Sequence, residues 1–277
     1  MARVLLISSD VAYGHVGNAG ARFALQRLGH EVLALPTVVL SSHLGYKKVG
    51  GQRIDAASLT SMLDALKAND ILGSVDAVLT GYLPSPEHVD VAVVAIESVR
   101  ATSRSSVLVA VDPVLGDDPD GLYLDKAAAA AVRDRLAGLA DLLTPNRFEL
   151  EWLSGEAVAN ARSAQSAART LGVATVLVTS VPGTSKRAID NVLVTSSNAI
   201  RTSTKRRKSV PHGTGDLLTA LMLGHLLSGK SQARALGLAV GGIEAVIEAS
   251  AGEPELKLVA SQSAWSKPKA WPVGPVR

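Results

Sequence analysis

The stretch Val210-Pro211-His212-Gly213-Thr214-Gly215-Asp216 runs without a break into the apolar segment Leu217 to Leu227. The two glycines flanking Thr214 let the backbone approach a ligand with no Cβ in the way. The helix expected over the apolar segment then offers unpaired N–H groups and the positive end of its dipole to a phosphate. Asp216 stands beside that anion, where a carboxylate is repelled unless it has a task, such as taking the proton of an attacking hydroxyl. A plainer reading stands next to this one, because Gly-x-Gly is a common turn and Asp a common helix N-cap. The choice depends on what the rest of the chain builds around the segment.

Outward from it, short uninterrupted apolar runs recur at Val4 to Ile7, Val32 to Leu35, Ala77 to Leu79, Val107 to Val111, Leu142 to Leu143 and Val176 to Val178. Such runs suit strands buried on both faces. Helical patterns lie between them, around Ala19 to Leu28, Leu59 to Leu72, Val89 to Val99, Lys126 to Leu136 and Ala164 to Leu171. This alternation predicts an α/β fold with a mostly parallel central sheet, and one domain over residues 1–277 accommodates it. Asn191 to Thr195 and Ala199 to Thr204 read as a hairpin turning at Ser196-Ser197-Asn198, with two final helices after it. Residues 37–54 break the rhythm, with Ser41-Ser42-His43, Gly45, Gly50 and Gly51 among apolar residues, and read as a flap. The Pro-rich end from Lys267 to Arg277 reads as an extended tail.

Composition narrows the function classes. With 277 residues and 47% apolar content the chain can bury a large core, and only 3% aromatics favours tight helix-on-sheet packing over an aromatic-filled β-sandwich. The absence of cysteine excludes disulfides, thiolate zinc sites and a cysteine nucleophile. No signal pattern precedes the first apolar run, so a cytoplasmic location is expected. Leu217 to Leu227 is too short to cross a bilayer, and Gln232 to Ala251 is interrupted by Arg234, Glu244 and Glu248, so no membrane partner is expected. A net charge of +3 does not call for nucleic acid. The run Lys205-Arg206-Arg207-Lys208 reads as a solvated edge, or as a device that steers a polyphosphate.

In an open parallel sheet, ligands bind beyond the carboxyl ends of the strands. The residues there are polar: Ser8-Ser9-Asp10 and Tyr13 to Asn18 after the first run, Thr80-Gly81-Tyr82 after the third, Asp112 to Asp117 after the fourth, Thr144 to Glu149 after the fifth and Thr179-Ser180 after the sixth. Asp112, Asp117 and Glu149 supply hard oxygens suited to Mg2+, which keeps several waters and bridges phosphates. Singly, each also fits ordinary turn chemistry: Asp-Pro and Thr-Pro-Asn are common strand exits, and Glu149 suits the first turn of a helix. His15 and His43 lack the spaced partners of a zinc site. No GxxxxGK[ST] run is present, so a nucleotide would be held by another loop.

Seven motifs in order, "SSDVAYGHVGNAGARFALQRLGHEV", "TVVLSSHLGY", "LTGYL", "DPVLGD", "LLTPNRFELEWLSG", "VLVTS" and "HGTGDLLTALMLGHLL", cover nearly the whole chain. In this order they resemble the pyridoxal kinases of the ribokinase-like superfamily. The resemblance implies a three-layer αβα fold with a flap over the substrate, and a homodimer. It also implies transfer of the ATP γ-phosphoryl group to the 5′-hydroxyl of pyridoxal, giving pyridoxal 5′-phosphate. Asp216 would be the general base and Gly213, Thr214 and Gly215 the anion hole. Ser9 and Tyr82 would meet the pyridine ring beneath His43, Leu44 and Gly45 of the flap.

By the same resemblance, Asp112, Thr144, Asn146, Glu149, Thr179 and Ser180 would face ATP. Asp112, Asp117 and Glu149 would serve the cations, Mg2+ and a monovalent ion such as K+. One departure stands in the flap: Ser42-His43-Leu44 replaces the Asn-His-Thr of many members, so Leu44 lacks their hydroxyl contact and a backbone contact at Leu44 or Gly45 is the substitute. Without cysteine, the aldehyde would be bound noncovalently. Two alternatives remain at this stage: a kinase for another hydroxymethyl heteroaromatic, such as pyridoxine or hydroxymethylpyrimidine, and a non-catalytic B6-binding protein.

Overall fold

In the computed structural model, which describes residues 1–276, the apolar runs become strands sandwiched between two helical layers. In chain order the elements are β1 (Arg3–Val11), α1 (Gly17–Arg27), β2 (Glu31–Leu40), β3 (Gly51–Arg53), α2 (Ala56–Ala68), β4 (Ala77–Thr80), α3 (Pro86–Thr102), β5 (Leu108–Val111), β6 (Gly116–Asp117), β7 (Gly121–Leu122) and α4 (Lys126–Ala131). There follow β8 (Leu142–Leu143), α5 (Arg147–Ser154), α6 (Ala161–Thr170), β9 (Thr175–Pro182), β10 (Ala188–Thr195), β11 (Ala199–Lys205), α7 (Thr214–Leu227), α8 (Gln232–Ala249), α9 (Gln262–Trp265) and β12 (Gly274–Pro275). The main sheet has ten strands in the order β12-β11-β10-β9-β8-β5-β4-β1-β2-β3, and β6 and β7 pair separately. Its centre, from β2 to β9, is parallel. The outer strands β3, β10, β11 and β12 are antiparallel to their neighbours.

Successive strand residues point to opposite faces, which is why uninterrupted apolar runs are needed here. Val4, Leu6, Leu79 and Leu177 enter a core shared with α1, α7 and α8. Leu5, Ile7, Val78 and Val178 enter the opposite core, built with α2 to α6. Ile7 is fully buried, and burial of a side chain of that size contributes about 2 kcal/mol. The helix after β1 and the helix after β4 lie on opposite faces, so the sheet changes winding direction between these neighbouring strands. A crevice opens at such a switch point, beyond the carboxyl ends of the strands. Helix α7 is buried on all sides from Leu217 to His225 and aims its N-terminus at that crevice.

Several expectations are corrected. In the segment 37–54, read as a flap, β2 continues to Leu40, β3 returns antiparallel beside Val38 to Leu40, and only the tip over 41–50 is irregular. The helix expected to reach Leu72 stops at Ala68, because the chain turns through Asp70 with φ 56. The helix expected over Lys126 to Leu136 widens to a π turn after Ala131. The Lys205 to Lys208 run is not uniformly solvated, because Arg207 forms a two-point ion pair with Glu244 of α8 at 3.0 and 2.8 Å.

Nor does the Pro-rich end form a free tail. The Trp271 backbone N–H donates to the Gly237 carbonyl at 2.7 Å and its indole N–H to the Ser203 carbonyl at 2.8 Å. A Cβ on Gly241 would collide with the Lys269 carbonyl, so the glycines of α8 form the groove that receives this segment. Gly274 and Pro275 then pair with β11. Arg277, the last residue of the expected tail, lies outside the described residues. Among the described residues, no helix is long and apolar enough to cross a membrane.

Candidate active site

At the end of β1 the register against β2 slips between Ser8 and Asp10, re-aiming the strand exit. Ser8 Oγ accepts the Tyr82 N–H at 3.0 Å, and the Tyr82 carbonyl accepts the Thr37 hydroxyl at 2.7 Å, which fixes Tyr82 between β1 and β2. Asn18 Nδ2 donates to the Ser8 carbonyl at 3.0 Å and holds the first turns of α1 against the same exit. Gly17 has φ 54, and a Cβ there would strike the Ser9 hydroxyl and carbonyl. Ser9 and Tyr82 are both half-buried at this edge of the crevice. Burial holds the Tyr82 phenol above its ordinary range, so it is a neutral donor and acceptor.

Helix α7 starts after Gly213, whose φ of 93 and close approach to the His15 carbonyl both demand glycine. No side chain caps this helix, so its first N–H groups are free to receive an anion. Gly215 is different: a Cβ there meets nothing within 4 Å, so the protein itself does not require glycine, and the space lies open beside the helix N-terminus. Asp216 is the third residue of the helix, while Gly213 holds the N-cap position; the plain capping reading of Asp216 therefore does not apply.

Beneath Asp216 lies a cavity of about 10 Å³, lined by Ser8, Thr80, Asp112 and Thr219 among others. That is room for about one water. Thr80 Oγ1 is buried beside it without a partner among the described residues. Burial pushes the Asp216 carboxyl up to about 6, against the opposing pull of the Gly17 N–H and its own N–H. A carboxylate tuned to that range exchanges protons near neutrality.

The acidic rim is stitched together by hydroxyls and backbone. Thr219 donates to Asp112 Oδ2 at 3.1 Å and pairs with the Thr144 hydroxyl at 2.8 Å. Burial first, then Glu149 and Asp216, hold the Asp112 carboxyl well above the usual range. Glu149 Oε1 accepts the N–H groups of Leu115 and Gly116 at 2.7 and 3.5 Å, and its Oε2 accepts the Asn146 N–H at 2.8 Å. Asn146 reciprocates by capping α5 and donates to the Gly116 carbonyl at 2.7 Å. These bonds clamp the Asp112 to Asp117 loop, in which Val114 sits at φ 46, a strained value for a β-branched residue. Burial outweighs the three N–H donors and pushes Glu149 up to about 7.

Sequence reasoning assembled Asp112, Thr144, Asn146, Glu149 and Asp216; the structure links Asp112 to Thr144 through Thr219 and Asn146 to Glu149 by these bonds, and sets Glu149 and Asp216 close enough to Asp112 to raise its carboxyl. Asp117 has no hydrogen bond to the others but lies near enough to raise Glu149; it is half-buried, its own carboxyl raised by burial and by Asp120. Thr179 follows the same rim through its N–H to the Pro145 carbonyl at 2.9 Å, while Ser180 is exposed with φ 59. Among the described residues, no three His, Asp or Glu side chains converge as a metal cage. A scattered set of hard oxygens fits a cation held mainly by phosphates and water. Sequence reasoning missed Thr219, although its spacing of three from Asp216 places both on one face of α7.

Over the crevice, the flap tip places the His43 ring 4.3 Å from that of His212, which directly precedes Gly213-Thr214-Gly215. The Gly45 N–H donates to His43 Nδ1 at 3.1 Å, so this N–H is committed within the flap. Leu44 is 66% exposed. Burial and His212 lower the His43 pKa, so the ring is neutral. Sequence reasoning also missed Tyr46, His212 and Glu255, which surround this imidazole.

Comparison with known proteins locates the chain among relatives. A family model described as phosphomethylpyrimidine kinase matches residues 30–256. "Pyridoxal kinase PdxY" of Corynebacterium diphtheriae is 36% identical over 273 residues, covering 96% of each chain. The protein of the same description from Rubrobacter xylanophilus is 38% identical over 273 residues, covering 96% of this chain and 94% of the relative. Among solved structures, the pyridoxal kinase of Leishmania donovani in complex with ADP and pyridoxamine superposes with a TM-score of 0.94 at 29% identity, covering 100% of both chains.

Proposed function

Because the chain belongs to the pyridoxal kinase family, within the group described by the phosphomethylpyrimidine kinase model, we propose that it transfers the γ-phosphoryl group of ATP to the 5′-hydroxyl of pyridoxal. The observation that carries this reading is the half-buried Asp216, its carboxyl raised to about 6, in the first turn of a helix whose N-terminus no side chain caps. Asp216 accepts the hydroxyl proton as the oxygen attacks phosphorus, and the bond to the ADP leaving oxygen breaks. The free N–H groups of Thr214 and Gly215 stabilise charge on the equatorial oxygens during transfer. Ser9 and Tyr82 orient the pyridine ring and His43 covers it, while Asp112, Thr144, Asn146 and Thr179 line the nucleotide side. Ser180 marks the outer limit of that side.

Asp112, Asp117 and the loop clamped by Glu149 supply the oxygen chemistry that suits Mg2+, with K+ as a second cation, and bound Mg2+ would offset phosphate charge. The family resemblance supports a homodimer, which sedimentation would test. A delivery protein without chemistry has no use for a proton acceptor at a phosphate site.

The test is ATP- and Mg2+-dependent conversion of pyridoxal to its phosphate, followed by absorbance, in the wild type beside Asp216→Asn. Turnover in the wild type alone supports both reaction and base. A second reading is favoured by the name of the matching family model and by Leu44 in the flap: a kinase whose preferred alcohol is hydroxymethylpyrimidine or pyridoxine. Comparing kcat/KM across these alcohols decides between them.

A further inference from the structure

Glu255 stands on a rigid post. Its neighbours Leu256 and Leu258 are buried in the core beneath α7 and α8, and the Lys257 N–H donates to Ser250 Oγ at 2.9 Å. The residue is 7% exposed, and its carboxylate tucks against Gly14, where a Cβ would strike Oε2. From there it reaches the flap: Tyr46 donates its hydroxyl to Oε1 at 2.8 Å, and His43 Nε2 lies 3.1 Å from the same oxygen. Because His43 Nδ1 accepts the Gly45 N–H, the neutral ring carries its hydrogen on Nε2 and donates it to Glu255.

The remaining bonds of the tip are internal or lie at its base, from Ser41 to Gly50 and from Tyr13 to Ser41. Among the described residues, the side-chain hydrogen bonds that tie residues 43–49 to the rest of the chain both end on Glu255. The His43 ring, held in this way, lies over His212 next to the anion loop.

We propose that Glu255 is a positioning residue that holds the flap closed over the substrate, acting through Tyr46 and His43. The inference rests on the pyridoxal kinase reading and adds to it the element that couples flap closure to the anion loop. A carboxylate accepting two donors in a nearly dry site is a strong clasp. Its loss leaves the flap open, so the alcohol is held less well and water reaches the phosphoryl group.

The experiment compares wild type with Glu255→Ala, Glu255→Gln, Tyr46→Phe and the double variant Glu255→Ala/Tyr46→Phe. Glu255→Ala is expected to raise KM for pyridoxal by about tenfold or more while KM for ATP stays within about twofold, and to raise the ATP hydrolysed per product formed. Gln keeps an acceptor at Oε1 and should recover most of the loss, and Tyr46→Phe should cost about threefold alone but nothing further in the Glu255→Ala background. A pyridoxal KM within about twofold of wild type, additive Tyr46 and Glu255 effects, or a parallel loss of both KM values and Tm would overturn the proposal.

Tyr46→Phe and Glu255→Gln carry the test if the alanine variant does not fold. Trypsin cleavage at Lys47 and Lys48 reads flap opening without any substrate. Faster cleavage of Glu255→Ala supports the clasp and an unchanged rate sinks it, whereas a wild type that turns over no pyridoxal sinks the functional reading alone.

Discussion

Replacing Asp216 by Asn should move activity and stability in opposite directions. The side chain keeps its shape but loses the proton acceptor, and general-base contributions run to about 10²- to 10⁴-fold. We therefore expect kcat at saturating substrates to fall about a thousandfold, equivalent to about 4 kcal/mol of barrier. In the folded chain burial raises this carboxyl to about 6. An acid raised in this way destabilises the fold wherever it is ionised: the cost is absent below the unfolded value near 4, grows through about pH 6 and is full above it. Asn removes that cost, so at about pH 8 the variant should gain roughly 1–3 kcal/mol, a rise of a few degrees in Tm, and the gain should vanish at about pH 4. Thermal melts at both pH values and a pyridoxal phosphorylation assay read the two effects, and kcat of the wild type should fall as pH drops through about 6. A variant that keeps kcat within about tenfold, or that melts below the wild type at about pH 8, would refute the assignment of a buried, raised carboxylate as the base.

The two glycines flanking Thr214 should behave differently from each other. Gly213→Ala forces a left-handed residue against the His15 carbonyl and should cost at least about 2 kcal/mol in urea denaturation. Gly215→Ala meets open space and should leave Tm nearly unchanged while raising KM for ATP or lowering kcat. Glu149→Gln relieves the cost of a buried carboxylate but sets its amide N–H₂ against one of the backbone N–H donors it now accepts, so it should loosen the Asp112 to Asp117 loop more than it changes Tm. Activity should fall with it, because Val114 loses the clamp on its strained turn. Gly241→Leu should expel the segment around Trp271 from α8, lower Tm and raise the protease sensitivity of the C-terminal end.

The central strands were legible because each must be apolar on both faces, and Val4 to Ile7 or Val176 to Val178 admit few other structures. Asp216 and its glycines were legible for a related reason: a loop feeding an all-apolar helix leaves few ways to place its polar residues. Helix ends were less so. Ala68 is followed by more helix-compatible residues, and only the backbone turn at Asp70 stops the helix. The tail's extended course was legible but its docking was not, because Gly237 and Gly241 look like weak helix positions in sequence, whereas folding turns them into a groove. Glu255 was out of reach for another reason. It meets Tyr46 across 209 residues of chain, and no local spacing records a contact made by two loops.

Helix α7 bears on how such a chain acquires new tastes. Packed on every side from Leu217 to His225, it cannot shift the proposed base Asp216 or the proposed anion site at its N-terminus without disturbing the cores around it. The flap tip, by contrast, is largely exposed and side-chain hydrogen bonds tie it down at one carboxylate. On the proposed reading, retuning the chain toward a different alcohol is a task for grafting: a segment exchanged for residues 41–50 would need its own two donors for Glu255 and a ring to replace His43 over His212, because through that contact the flap meets the loop before α7.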